Sequence, residues 1–256
     1  MKEQLKPPST FGALRELAAP LDMLGVPAAL LKARRHRPAQ AERLPVIVLP
    51  GIGADDYSTW PLRYFLSRHG FRAEGWGLGR NTAGRGLIKN LDELSDRWST
   101  DRNRQHRGEG EVPALCDRMY ERVRARAHEL DSPVVLVGWS LGGYVAREVA
   151  RDLPEEVAAV ITMGSPVVGG PKYTSAARLY KARRYDLDWI ESEVEKRFEQ
   201  PISQPITAIY SKRDGVVGWR SSIDHFSPNV RHIEVRVSHF GMGLNAKVWK
   251  IVLDSL

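Results

Sequence analysis

The sequence is poor in cysteine and has no long apolar run. Cys116 is the only cysteine among the 256 residues, so an intrachain disulfide is excluded. No stretch approaches the roughly 18 consecutive apolar residues of a transmembrane helix. The apolar residues near the N-terminus are interrupted by Arg15, Glu16 and Pro20, which argues against a secretory signal peptide. We therefore expect a cytoplasmic protein.

Motifs for metals, nucleotides and nucleic acids are also missing. No group of His, Cys, Asp and Glu has the spacing of a metal site, and we expect no metal and no cofactor. Residues 75–79 (GWGLG) lack the spaced third glycine and the following helix of a dinucleotide-binding loop. Lys and Arg outnumber Asp and Glu by 38 to 31, but the basic residues form scattered clusters without a nucleic-acid-binding motif. We expect no nucleic-acid partner and interpret these clusters as solvated surface, with anionic headgroups or acidic partners as the alternative.

Short apolar segments alternate with helical patterns through most of the chain. The strands are predicted at 44–49, 71–76, 133–137, 157–163, 205–210 and 232–237, and the main helices at 56–69, 113–130, 144–153 and 245–256. Short, fully apolar strands that alternate with helices are typical of a mostly parallel sheet covered on both faces. The sequence thus predicts an α/β fold, with the main domain at 44–256.

Three segments fall outside this alternation. Residues 1–43 are predicted to form an N-terminal helical extension, because apolar residues such as Phe11, Leu14 and Leu17 recur at helical spacing. We expect its pieces to pack on the domain, with a membrane surface as the alternative. The Arg-rich residues 79–111 indicate a surface insertion with one helix near 88–98, and residues 166–204 indicate a helical insertion above the carboxyl edge of the sheet.

The segment from Pro133 to Gly143, PVVLVGWSLGG, contains a G-x-S-x-G pattern centred on Ser140. It follows a predicted strand and precedes a predicted helix, the context in which a nucleophilic serine is presented on a sharp turn. Gly138 and Gly142 remove Cβ atoms where strand and helix would otherwise crowd each other. Ser140 is therefore the candidate nucleophile, and the alternative is an ordinary turn in which Ser140 caps the helix.

A serine nucleophile needs a base, and the base needs a group to orient it. Asp214 is the only acidic residue close behind the strand 205–210, and its rivals are Asp186 and Asp188 in the insertion and Asp224, which has no strand immediately before it. Of the seven histidines, only His239 comes after Asp214 and lies just past a predicted strand. The order Ser, Asp, His is the one that this strand–turn–helix presentation uses. Asp214 is the candidate acid and His239 the candidate base, while a local D-G turn and an ordinary loop histidine are the alternatives.

The site also needs N–H donors for the oxyanion of a tetrahedral intermediate. One candidate is the backbone N–H of Leu141, directly after the nucleophile. The other is the N–H of Ile52, in the glycine-rich loop PGIGAD after the first strand.

Taken together, the segments LPGIGAD, GWSLGGYVAREVA, ITMGSPVVG, IYSKRDGVVGW and VRVSHFGMGLN resemble the α/β-hydrolase superfamily, and in particular its bacterial lipase- and esterase-like members. The resemblance extends from Leu49 to Asn245. It implies an α/β-hydrolase fold, hydrolysis of carboxylic esters through an acyl-serine, and a cap or lid at residues 166–204 that shapes the acyl pocket.

We therefore expect a carboxylesterase or lipase that acts on a small-molecule or lipid ester. An acyltransferase with the same three residues and a non-catalytic scaffold that retains the fold are the alternatives. Peripheral contact with a membrane is compatible with catalysis, and the sequence makes no prediction of the oligomeric state.

Overall fold

A computed structural model describes residues 5–9, 11–35 and 44–256 of the chain. Within these ranges the core is a six-stranded sheet in the order β2-β1-β3-β4-β5-β6, with every neighbouring pair parallel. The strands are β1 (Val46–Leu49), β2 (Ala73–Gly75), β3 (Val134–Trp139), β4 (Val157–Met163), β5 (Ile206–Tyr210) and β6 (Val230–Glu234). The predicted parallel sheet is thus confirmed.

The helices alternate with the strands along the chain. They are α1 (Gly12–Arg15), α2 (Ala19–Asp22), α3 (Val26–Arg35), α4 (Asp56–Arg68), α5 (Glu111–Leu130), α6 (Leu141–Asp152), α7 (Ala177–Ala182), α8 (Leu187–Lys196), α9 (His239–Gly243) and α10 (Ala246–Asp254). Several begin at side-chain caps, for example Asp55 before α4 and Asn245 before α10, which accept otherwise unpaired N–H groups of the first turn. In the described ranges, no helix combines the length and the apolar character needed to cross a bilayer.

The sheet buries apolar side chains on both faces. In β1, Val46 and Val48 pack towards the layer of α3, α4 and α10, whereas Ile47 and Leu49 pack towards α5 and α6. This division follows from the two-residue period of a strand. With both faces covered, the polar groups that can meet a ligand are restricted to the loops at the strand ends.

The predicted helix at residues 88–98 is wrong, since the regular structure there is a single 3-10 turn at Leu91–Glu93. Ile88, Leu91, Leu94 and Trp98 instead pack into the core against α5. The guanidinium of Arg102 donates to four backbone carbonyl oxygens of this segment, those of residues 91, 94, 95 and 98. A side chain thus supplies the hydrogen bonds that a helix would have formed within its backbone.

Other predictions differ from the structure by smaller amounts. Strand β6 ends at Glu234, three residues before its predicted end, and the next residues lead into α9, a short helix that was not predicted. The N-terminal extension packs on the domain through only part of its apolar residues: Ala33 is buried and Val26 and Leu30 pack against the core, whereas Leu17 is 77% exposed and Leu21 is 69% exposed. The parts of the predicted extension at residues 1–4, 10 and 36–43 lie outside the described residues.

Candidate active site

Ser140 occupies a sharp turn between β3 and α6. Its backbone has φ 55° and ψ −124°, a left-handed conformation that costs a non-glycine residue on the order of 1–3 kcal/mol. The turn is held by hydrogen bonds from the Ser140 N–H to the Met163 oxygen (2.8 Å) and from the Gly143 N–H to the Ser140 oxygen (3.0 Å). The surrounding structure therefore fixes the strained geometry that presents the hydroxyl.

Two glycines make this turn sterically possible. A Cβ at Gly142 would lie 2.5 Å from the Leu49 oxygen and 2.7 Å from the Pro50 oxygen, while a Cβ at Gly138 would overlap the backbone of Gly142 and Gly143. Both contacts are far inside van der Waals distance. The glycines of the G-x-S-x-G pattern are thus required by the close approach of α6 to the ends of β1 and β3.

Asp214 and His239 are brought together at the carboxyl edge of the sheet. The Nδ1 atom of His239 lies 2.8 Å from Oδ2 of Asp214, and both side chains are almost completely buried. Oδ1 of Asp214 accepts the backbone N–H groups of Val216 (2.8 Å) and Val217 (2.7 Å). Because each carboxylate oxygen has its own partners, the orientation of the Asp214 carboxylate towards the imidazole is fixed.

Trp139, the residue beside Ser140, connects the turn to the backbone of His239. Nε1 of Trp139 donates to the carbonyl oxygen of His239 at 3.2 Å, and the two rings lie 6.0 Å apart. The structure contains no hydrogen bond between the Ser140 hydroxyl and His239. The imidazole is thus hydrogen-bonded to Asp214 but not to Ser140. Hydrogen bonds between a catalytic base and its nucleophile are often long in unliganded enzymes.

Ile52 and Leu141 flank Ser140 from two sides. Leu141 is the first residue of α6, and Gly51, next to Ile52, lies so close to Ser140 that a Cβ there would be 3.2 Å from the serine Cβ. Within the described structure, neither the Ile52 N–H nor the Leu141 N–H donates to a protein acceptor. Both are therefore available to a bound oxygen atom.

The loop that carries Ile52 is held by Asn81, a residue that sequence reasoning missed. The Asn81 side chain is fully buried, and its amide donates to the Pro50 oxygen at 2.8 Å. Its backbone exchanges two further hydrogen bonds with the loop, at Gly53 (2.7 Å) and Ala54 (2.8 Å). No motif in the sequence marks this residue.

Two acidic residues of the N-terminal extension bind the loops that carry Asp214 and His239. The carboxylate of Glu16 accepts three backbone N–H groups, from Gly215 (2.8 Å), His239 (2.9 Å) and Phe240 (3.0 Å). Asp22 accepts both the N–H and the hydroxyl of Ser238, each at 2.7 Å. The extension is therefore part of the structure that positions the site. The only sequence signal for this role is that these two residues are the only acids among residues 5–35.

An apolar pocket opens beside Ser140. Its walls come from the loops after β1 and β5, the segment before α5, helix α6, and the segment from residue 166 to α8; they include Leu94, Trp98, Tyr144, Trp189, Ile190 and Val194. Burial raises the pKa of Tyr144, and burial together with a hydrogen bond to Glu111 raises the pKa of Tyr185, also in the wall, to about 12. Both phenols stay neutral at physiological pH, and most of the lining, apart from Glu109 and Glu193, is uncharged, which suits an apolar group.

Comparison with known proteins agrees with this architecture. A family described as "alpha/beta hydrolase fold" matches residues 94–211 of the chain. No curated protein has a significantly similar sequence.

Three similar solved structures are distant from this chain in sequence. A structure from work on LipS and LipT, two metagenome-derived lipolytic enzymes, has 15% identity and a TM-score of 0.57 and covers 83% of this chain and 91% of its own. Paleococcus ferrophilus monoacylglycerol lipase has 14% identity and a TM-score of 0.52 and covers 83% and 96%. A thioesterase domain from the curacin biosynthetic pathway has 12% identity and a TM-score of 0.51 and covers 84% and 90%.

The parallel sheet with helices on both faces and the serine on the turn after β3 define an α/β-hydrolase fold. This is the fold that the sequence resemblance implied.

Proposed function

We propose that the protein is a serine hydrolase that cleaves carboxylic esters with apolar acyl groups. The observation that carries this proposal is the buried hydrogen bond of 2.8 Å between Asp214 and His239, at the same edge of the sheet as the strained Ser140 turn. A carboxylate that accepts the Nδ1–H of an imidazole leaves Nε2 unprotonated and able to take a proton from a serine hydroxyl.

In the proposed mechanism, Ser140 Oγ attacks the ester carbonyl carbon while His239 takes the serine proton. Asp214 holds the imidazole and stabilises its charged form. The N–H groups of Ile52 and Leu141 donate to the oxyanion of the tetrahedral intermediate. His239 then gives the proton to the departing alkoxide, and the acyl group remains on Ser140. Water, deprotonated by His239, releases the acid and restores the serine.

The apolar pocket supports the choice of substrate. Aromatic and aliphatic side chains in its walls favour the acyl chain, and the ester carbon would lie at the end of the pocket that Ser140 lines. We therefore expect hydrolysis of p-nitrophenyl esters to improve as the acyl chain lengthens from acetyl, until the chain exceeds the pocket. A cytoplasmic location remains a prediction, which cell fractionation tests.

The Ser140→Ala variant tests the mechanism. Without the nucleophile, we expect kcat for a soluble p-nitrophenyl ester to fall by a factor on the order of 10⁶, and a fluorophosphonate probe, which labels the parent, to leave the variant unlabelled. Ser192→Ala, at an exposed serine of α8, is the matched control and should keep the parent rate. Parent activity in Ser140→Ala would refute the proposal, and transfer of the acyl group to an added alcohol in place of water would identify the acyltransferase alternative.

A further inference from the structure

The N-terminal segment, defined as residues 5–9 and 11–35, exposes large apolar side chains in a regular row. These side chains are between 59% and 77% exposed, although each would normally be buried. The members of this apolar stripe are Phe11, Leu14, Leu17, Leu21, Leu24 and Leu31. Their spacing of three, three, four, three and seven residues places them along one side of consecutive helical turns. The stripe therefore runs from Phe11 to Leu31, with Leu14, Leu21 and Leu31 on α1, α2 and α3 and the other members in the turns beside these helices.

The charges of this segment are sorted between its two faces. Glu16 and Asp22 are the only acidic residues among residues 5–35, and both carboxylates are turned inward, where they accept hydrogen bonds from the loops after β5 and β6. The basic residues Lys32, Arg34 and Arg35 are exposed at the end of α3. The outward face is thus apolar and basic, without an acidic group of its own.

A basic cleft lies next to the stripe, between the N-terminal segment and the same two loops. Four basic residues line it, together with Ala18, Asp22 and Ser238; they are Arg15, Lys212, Arg213 and Arg236. Arg15 donates to the Lys212 carbonyl oxygen at 3.0 Å, and Lys212 is paired with Glu234 at 2.8 Å. Arg213 and Arg236 are exposed. Positive charge therefore borders the apolar stripe at the cleft beside Arg15 and again at the end of α3.

We propose that the apolar stripe and the basic cleft dock the protein on a bilayer that contains anionic phospholipids. An apolar row flanked by cations is the arrangement that lies at the interface of an anionic membrane, with the side chains inserted among the acyl chains and the cations at the phosphates. Charge favours this occupant over a second copy of the chain. A symmetric pair of stripes would bring the two basic clefts together, and like charges oppose such an interface.

The docking face is continuous with the candidate active site. Glu16, within the segment, accepts the N–H of Phe240, whose side chain is 49% exposed directly after His239. Ile52, in the loop beside Ser140, is 53% exposed. If the proposed function holds, a lipid ester would pass from the bilayer to Ser140 without crossing bulk water. The docking itself does not depend on catalysis.

Flotation of the full chain with vesicles tests the proposal. We expect binding to vesicles of phosphatidylcholine mixed with phosphatidylglycerol, little binding to phosphatidylcholine alone, and weaker binding at high salt. In the variant Leu17→Gln with Leu21→Gln, the partition coefficient should fall about 100-fold, from the loss of two inserted leucines. In Arg213→Gln with Arg236→Gln it should fall about thirty-fold.

Matched control variants separate the loss of docking from the effect of removing leucines or charges elsewhere on the surface. Leu44→Gln with Leu179→Gln removes two exposed leucines elsewhere, and Arg118→Gln with Arg231→Gln removes two exposed charges away from the cleft; both should bind as the parent does. Ser140→Ala should also bind normally, so failure of the proposed catalysis would not affect this test. Circular dichroism verifies that each variant is folded.

Three results would overturn the proposal. The first is no binding of the parent to anionic vesicles, and the second is parent-like binding by the Leu17→Gln, Leu21→Gln variant. The third is a parent that elutes as a dimer while this variant elutes as a monomer, which would mean that a second copy covers the stripe.

Discussion

The two oxygens of Asp214 have different partners. Oδ2 faces Nδ1 of His239 at 2.8 Å, whereas Oδ1 accepts the N–H groups of Val216 and Val217. The two backbone N–H groups need an acceptor at the position of Oδ1, so the other atom of the carboxylate, Oδ2, faces the imidazole. At the scale of single residues, the turn after β5 therefore fixes which oxygen of Asp214 faces His239.

Replacement of Asp214 by Asn should reduce kcat by about 10⁴. The backbone N–H groups would hold the amide oxygen at the position of Oδ1, so the NH₂ group would face Nδ1 and the proton of the imidazole would move to Nε2. A histidine protonated at Nε2 cannot accept the serine proton. Steady-state kinetics on a soluble ester measures the loss, and Asp92→Asn, at an exposed position, is the control. A parent-like kcat in Asp214→Asn would contradict the role proposed for this residue.

At the scale of elements, the N-terminal segment supports the two loops that carry Asp214 and His239. Oε1 of Glu16 joins the loops, because it accepts from Gly215 in one and from His239 in the other. Asp22 adds bonds to Ser238, which caps α9, and its carbonyl oxygen accepts from Asn245, which caps α10. The segment thus adds a further connection between two loops that the hydrogen bonds Ser211–Val237 and Asp214–His239 also join.

Glu16 is expected to act as a positioning residue. In Glu16→Ala the three N–H groups lose their acceptor, and a shift of His239 by about 1 Å would lower kcat by up to about 100-fold with KM little changed. Glu16→Gln keeps one carbonyl oxygen and should restore part of the rate. Steady-state kinetics of both variants on a soluble ester tests this prediction. Thermal unfolding checks that both variants are folded. An unchanged kcat in Glu16→Ala, or a rise in KM alone, would count against positioning.

At the scale of the whole molecule, a buried ionic network joins α6 to the segment after α8. Glu148, on α6, binds Arg151 at 3.0 Å and Arg197 at 2.8 Å, and Arg197 also binds Asp152 at 2.7 Å. Burial by itself raises the pKa of Glu148, but the two arginines outweigh burial and hold this pKa below its usual value of 4.5. The ionised form of Glu148 is therefore the one that stabilises the fold.

Glu148→Gln should lower the free energy of unfolding by about 3–5 kcal/mol at neutral pH, because Arg151 and Arg197 lose their buried counter-charge. Since the pKa of Glu148 is lower in the folded state, its contribution is complete above pH 4.5 and is lost as the pH falls through the folded-state value. The stability difference between parent and variant should thus shrink in acid.

Urea unfolding over a series of pH values measures this difference. Glu155→Gln, the same substitution at an exposed residue, should match the parent throughout. A parent-like stability of Glu148→Gln at neutral pH would show that the network does not stabilise the fold.

The sequence by itself determined the parallel sheet and the candidates Ser140, Asp214 and His239. Both depend on local information: β-branched apolar runs specify buried strands, and parallel strands place the loops that follow them at one edge of the sheet. The same local pattern misassigned residues 88–98, because the side chain of Arg102, supplied from outside the predicted helix, satisfies the backbone there.

Only the tertiary structure decided the roles of Glu16, Asp22 and Asn81. Their partners lie up to 224 residues away along the chain, and a carboxylate that accepts distant backbone N–H groups leaves no periodic signal in the sequence. The tertiary structure also decides which way the apolar stripe faces. Its helical spacing is visible in the sequence. The hydrogen bonds of Glu16 and Asp22 hold the opposite side of the segment against the domain, so the stripe faces the solvent.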